Sequence, residues 1–448
     1  MIRFRPSRRA GGSQLAVVMA LVASALVLIA QARAATVFET PGGLTVWLQQ
    51  DSTVPIISVS ASFAGGAAFD PPALAGRADL AAAVMAEATT SRDARALDAV
   101  LEEYAIGLSA SSGRTRVQVT LTTLTANQDL AFELLREMLL TPAFDPDDID
   151  RLKQRSLSSL RRSESRPGTL AGRALREMVF GGTVYATNPD GTPETLAAVT
   201  EADLRSWHDA TIRRDTLTIA VAGDIDAATL GPLLDQAFGA LPDGGIDDTA
   251  LTPPGATTAA VEHIITDQPQ STILFGQTTV GRDHPDWLAL AIANQVFGGP
   301  GFSARLMSEL REARGLTYGV NSALVPVNDF GFITGQTSVA AATTDETIAL
   351  LRSLWADFIA NGITEAEFED ARAYLNGSLA IRLDSTSDIA STVLFLAEYD
   401  LPPDYLTSRA DLLAALSADD VNAAITRHFD ADGLAIAVAG PENVVTVE

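Results

Sequence analysis

Apolar positions follow two periods along this chain. Ile56-Ile-Ser-Val-Ser-Ala-Ser-Phe63 and Val117-Gln-Val-Thr-Leu-Thr-Thr-Leu124 alternate with a period of two, as half-buried strands do. Leu44–Leu48, Ser271–Gln277 and Gly331–Val339 read the same way. Helical spacing takes over from Leu80 onward, across Trp287–Phe297, and in long amphipathic stretches later in each half. Strands mixed with long helices predict an α+β fold, each sheet rich in antiparallel pairs and covered by helices on one face.

The pattern occurs twice. Val199-Thr-Glu-Ala-Asp-Leu through Ala222-Gly-Asp224 lies without a gap over Leu416-Ser-Ala-Asp-Asp-Val through Ala439-Gly-Pro441. Each copy reads as a capped helix, a polar turn and a buried strand ending in glycine, so two tandem copies of one fold are expected. Between them, Leu241-Pro-Asp-Gly-Gly through Thr252-Pro-Pro-Gly255 has linker composition. The predicted division is a leader over 1–34, a first domain over 35–240, a linker over 241–257 and a second domain over 258–448.

The leader has the three parts of a secretory signal: Arg3, Arg5, Arg8 and Arg9, an apolar run from Leu15 to Ala30, and small residues in Ala32-Arg-Ala34. The apolar run is shorter than the roughly 20 residues of a spanning helix, so cleavage near Ala34 is expected, with no stable membrane insertion afterwards. The location expected is periplasmic, with release from the cell and the choice between general and twin-arginine export left open. The chain has no cysteine, so core packing must hold it together even outside the cytoplasm. Removing five leader arginines and no acidic residue takes the net charge from -25 to -30, which argues against nucleic acid as a partner.

Two stretches carry candidate chemistry. Gly76-Arg-Ala-Asp-Leu-Ala-Ala-Ala-Val-Met-Ala-Glu-Ala-Thr89 opens the first long helix of the first half. In the second half, Phe297-Gly-Gly-Pro-Gly-Phe-Ser-Ala-Arg-Leu306 precedes Leu310-Arg-Glu-Ala-Arg-Gly-Leu-Thr-Tyr-Gly-Val320. On these stretches, with Gly191-Thr192 and the strand closing in Ala222-Gly-Asp224, the chain resembles peptidase family M16, the pitrilysin or insulinase-type metallopeptidases. The family's halves are tandem α+β domains, and the resemblance spans nearly the whole mature chain.

Active members carry His-x-x-Glu-His on that first helix: two histidines on one helical face bind zinc and the glutamate takes a proton from the metal-bound water. In that frame Asp79 replaces the first histidine, Ala82 the glutamate and Ala83 the second histidine. The third ligand, a glutamate of a later helix, falls at Leu160. One carboxylate cannot hold zinc, so no metal is expected on this chain. The four histidines, His208, His263, His284 and His428, include no helical pair; they read as surface or satisfied residues, with His428 at a helix end that favours a cation, and a site assembled from distant residues is the minor alternative.

What the resemblance leaves in place is an arginine and a tyrosine seven apart, Arg311 and Tyr318. Ser303 to Arg314 reads as a helix with Leu306, Met307 and Leu310 toward the core, Gly315 as its cap, and Tyr318 as the start of the next strand. By spacing alone these two would be a solvated helix residue and a strand residue. The family implies that they donate hydrogen bonds to a peptide and to its developing oxyanion; Arg314 competes for the arginine role. Some bacterial members split zinc motif and Arg-Tyr pair between two chains. The expected function is therefore the zinc-less subunit of an exported heterodimeric peptidase, inactive alone and acting in trans with a zinc-bearing partner on peptides. A proteolytically silent scaffold or peptide-binding protein of the same fold is the alternative.

Overall fold

A computed structural model describes residues 34–246, 251–301, 303–381 and 383–442. The expected leader thus lies outside the described residues except for Ala34, as do 247–250 within the expected linker. Among the described residues no helix is long and apolar enough to cross a membrane.

The first half runs β1 (Thr36–Glu39), β2 (Thr45–Gln50), β3 (Ile56–Ala64), α1 (Arg77–Met85), α2 (Ala94–Glu103), β4 (Gly107–Ser112), β5 (Arg116–Leu124), α3 (Gln128–Leu140), α4 (Pro146–Ser163), α5 (Pro167–Phe180), α6 (Pro193–Ala198), α7 (Glu201–Thr211), β6 (Thr218–Gly223) and α8 (Ala227–Phe238). The second runs β7 (Ala260–Ile265), β8 (Gln270–Val280), α9 (Trp287–Gly298), a π turn (Met307–Glu312), β9 (Thr317–Val327), β10 (Phe330–Ala340), α10 (Thr344–Asn361), α11 (Glu365–Ile381), α12 (Thr386–Glu398), α13 (Tyr405–Ala414), α14 (Ala418–His428) and β11 (Ala435–Gly440).

The sheets have strand orders β1-β2-β6-β3-β5-β4 and β7-β11-β8-β10-β9. With the extra edge strand β1 set aside, the second order repeats the first strand for strand. Each sheet has one parallel pair, β2 with β6 and β7 with β11, and is otherwise antiparallel. The repeated segment agrees residue by residue: α7 begins at 201 and α14 at 418, they end at 211 and 428, and β6 and β11 end at 223 and 440. Both helices start with a capping box, Thr200 with Asp203 and Ser417 with Asp420, which satisfies backbone N–H groups left over at each start.

Each sheet packs its apolar face on helices of its own half. Ile57, Val59, Ala61 and Phe63 of β3 join Phe132, Leu134 and Leu135 of α3 and Leu234 of α8. Ile273 and Phe275 of β8 join Leu290 and Ala293 of α9, Trp355 and Phe358 of α10 and Ile425 of α14.

The other face is covered as well, by a helix borrowed from the opposite half. α5 lies on the second sheet, where Ala171, Ala174 and Leu175 meet Ala435, Ala437 and Ala439 of β11. α12 lies on the first sheet, where Ser58 and Ser60 of β3 stand 3.1 and 3.3 Å from the hydroxyls of Ser387 and Ser391, and Ser62 donates to Glu398 at 2.5 Å. Burial raises the Glu398 pKa, against the Ser62 hydrogen bond and the Arg116 charge. The linker is packed down at both ends, Leu241 into the first core and Thr257 onto the Thr278 N–H at 3.0 Å.

Candidate functional site

The helix expected to carry a zinc motif is α1, and its start is fixed by two close approaches. Asp70 is buried; its carboxylate accepts from the Ala78 N–H at 3.0 Å, a donor that a helix N-terminus leaves unpaired, and from the Arg77 side-chain Nε at 3.1 Å. Burial raises the Asp70 pKa, against those two neighbours. The loop before α6 presses on the same point: Gly191 has φ +72° and leaves no room for a Cβ against the Ala75 carbonyl oxygen. Gly191→Ala is therefore expected to cost about 1–3 kcal/mol, whereas Gly168→Ala, with open space around it, should be silent. Thermal unfolding of both variants checks this.

On α1, Asp79 is exposed, Ala83 half-buried and Ala82 fully buried. Leu160 of α4 is also buried, and it belongs with Ala82, Leu80, Val84, Leu157, Leu204 and Trp207 to one hydrophobic cluster. The positions that would hold a third ligand and a general base are thus filled by core packing. Asp79 keeps access to solvent while protein surrounds it; that desolvation, with the charges of Asp190 and Asp70, raises its pKa. A single carboxylate on a helix face otherwise lined by alanine and leucine does not fit a zinc ion.

In the second half, the predicted helix over Ser303–Arg314 is instead a π turn over Met307–Glu312, with Ala313 N–H bonded five residues back to the Ser308 carbonyl at 2.9 Å. The wider turn keeps Leu306 and Leu310 fully buried and leaves Met307 only half-buried, contrary to the expected inward trio. Gly315 at φ +64° then closes the turn in the left-handed conformation typical of a helix end. Arg311 is half-buried on the turn, whereas Arg314 is exposed and ion-paired with Glu309. Tyr318 follows at the start of β9, an edge strand, and is 91% exposed.

The start of this turn is anchored by a pair the sequence did not single out. Arg305 donates through Nε and Nη2 to both carboxylate oxygens of Glu367 at 2.7 and 2.8 Å. Glu367 also accepts from the N–H and hydroxyl of Thr364, which caps α11. Burial would raise the Glu367 pKa, but Arg305 and Thr364 bring it down to about 2. A lowered acid pKa stabilises the fold above the unfolded value of about 4.3, and that contribution disappears as pH falls through about 2. Glu367→Gln is expected to cost about 1–2 kcal/mol at pH 7 once solvent screening is allowed for. In urea titrations the gap between wild type and variant should close as pH falls across that window.

The histidines divide. His208 is a satisfied interior residue, its Nε2 2.9 Å from the Leu139 carbonyl and its pKa lowered by burial. His263 is exposed on β7. His284 and His428 come together, rings 4.8 Å apart, with Asp286 between them. No periodicity links His428 to Asp286, 142 positions before it, so only the packing of α9 against α14 reveals this cluster.

Residues 45–188 match the family described as insulinase (peptidase family M16), and 198–375 match the peptidase M16 inactive domain. The chain belongs to peptidase family M16, as one of its inactive homologues. It is 26% identical to the non-peptidase homolog YmxG of Helicobacter pylori over 429 residues, covering 95% of this chain and 96% of that one. The crystal structure of a peptidase M16 inactive domain from Pseudomonas fluorescens is similar at 28% identity with a TM-score of 0.86, covering 91% of this chain and 98% of that one. The periplasmic protease PqqL of Escherichia coli shares the fold at 18% identity and a TM-score of 0.77; the match spans 92% of this chain and 46% of PqqL.

Proposed function

We propose that this chain is the zinc-less subunit of an exported two-subunit M16-type peptidase. It forms half of a peptide chamber and supplies Arg311 and Tyr318 in trans to a partner that bears the zinc. The observation carrying this reading is Tyr318: among the described residues this large aromatic side chain is 91% exposed at the start of an edge strand, where it is open to another molecule. Arg311 lies seven residues before it, on a π turn, a form that recurs at functional sites.

The test is peptide cleavage by the protein recovered from its host extract, with and without a zinc chelator, beside the chain purified alone. Chelator-sensitive cleavage in the recovered sample only, with a second family member co-purifying, supports the reading. Cleavage by the pure chain would overturn it. Silence in both samples with no such partner would transfer the function to a scaffold or peptide-binding protein of this fold.

A further inference from the structure

We propose that His284, Asp286 and His428 form a binding site for one divalent transition-metal ion, zinc in the first instance, which ties the start of α9 to the end of α14. The site owes nothing to the vestigial motif on α1 and is independent of the peptidase reading.

The three residues each offer one ligand atom, and these atoms lie within 4.8 Å of one another. His428 Nε2 is 2.6 Å and His284 Nδ1 4.0 Å from the same oxygen, Asp286 Oδ2. Tetrahedral zinc with bonds of about 2.0–2.1 Å sets its ligands about 3.3 Å apart. The two distances fall on either side of that value and all three ligand atoms lie within 4.8 Å of one another, so rotations of the three side chains that bring the widest pair closer by up to about 1.5 Å complete the geometry. Two imidazoles and a carboxylate suit zinc and its first-row neighbours, and leave a fourth position for water. The cluster takes half of the four histidines in the chain. His428 is the last residue of α14, where exposed carbonyls favour a cation.

Three present contacts must yield, the first being the 2.6 Å hydrogen bond between His428 Nε2 and Asp286 Oδ2, because a ring nitrogen that binds zinc has no proton left to share with a carboxylate. Arg427 is ion-paired to Asp286 Oδ2, but its side chain is 57% exposed, and an exposed pair is worth at most about 1 kcal/mol. The guanidinium can therefore move into solvent when a divalent ion arrives. The Asp286 N–H donates to His284 Nδ1 at 3.0 Å. The metal takes that lone pair, and the N–H turns to water at a turn where the His284 side chain is already 36% exposed. His428, 10% exposed, provides the fixed side of the site.

The mature chain, stripped with chelator and desalted, would be titrated with Zn²⁺ alone by isothermal calorimetry. One equivalent should bind, and His284→Ala should weaken binding at least tenfold; it is the deciding variant because His284 is the more exposed histidine. Arg427→Ala should tighten binding severalfold by removing the competing cation, a gain that a purely structural ion-pair cluster would not give. Asp79→Ala should leave the affinity unchanged. Absence of saturable binding by the folded chain, or binding that survives His284→Ala, would overturn the proposal.

Discussion

Reinstalling the family's glutamates, Ala82→Glu and Leu160→Glu together, is expected to lower the unfolding free energy by about 3–5 kcal/mol and to give no peptidase. Both side chains are buried in one cluster with Leu80, Leu157, Leu204 and Trp207. A carboxylate placed there loses water and gains no partner, and at fully buried Ala82 it would have to fit four further heavy atoms into a packed cluster. Asp79→His and Ala83→His, at an exposed and a half-buried position, should each change stability by less than about 1 kcal/mol. Urea midpoints of the four single variants and the quadruple one separate these cases. A quadruple variant as stable as wild type and hydrolytic on its own would show that the site is merely unoccupied by ligands rather than closed.

Tyr318→Phe is expected to slow peptide cleavage by the reconstituted complex about 10- to 100-fold with assembly unchanged. Loss of one donor to a developing oxyanion costs up to about 100- to 1,000-fold in sites built for that purpose, and in the proposed complex Arg311 would remain to share the charge. The change removes one hydroxyl from a side chain that is 91% exposed, so the fold of this chain should not register it. Equal kcat in wild-type and variant complexes, at equal subunit stoichiometry, would remove Tyr318 from catalysis. A drop in co-purification instead of kcat would make it an assembly contact.

Most of the architecture was legible because its signals are local. The alternation in β3 and β5, the helical spacing of α9 and the offset between α7–β6 and α14–β11 are all short-range patterns, and each led to an observed element. The replaced motif positions Asp79, Ala82 and Ala83 were read from the resemblance to a motif of fixed spacing on one helix, and Leu160 from a later helix in the same frame. What the chain did not declare depends on contacts between distant segments. The short strands β4, Gly-Leu-Ser-Ala-Ser-Ser, and β7, Ala-Val-Glu-His-Ile-Ile, form edges with weak alternation and were missed. Ser58, Ser60 and Ser62 read as a wet face, yet all three are buried beneath α12. The π turn escaped notice because one extra residue per turn leaves Leu306 and Leu310 inside and alters only the residues between them. The meeting of His284 with His428 is set by packing of α9 on α14, which no one-dimensional pattern encodes.

The exchange of α5 and α12 between halves bears on how the chain is made. Synthesis proceeds from the N-terminus, so α5 already exists when the second sheet emerges, and that sheet's alanine-lined face is covered as soon as it forms. The first sheet must wait for α12, more than 160 residues after β6 is finished. Its waiting face carries the serine stripe of β3. Hydroxyls can bond water in the interval and exchange it for Ser387, Ser391 and Glu398 on docking, so the β3 part of the waiting face stays solvated until α12 arrives. The serine stripe stands beside an apolar patch in which Ala220 of β6 and Trp47 of β2 meet Ile389, Val393 and Leu394 of α12, so the interface that forms last is mixed and the one that forms first is lined by alanine and leucine.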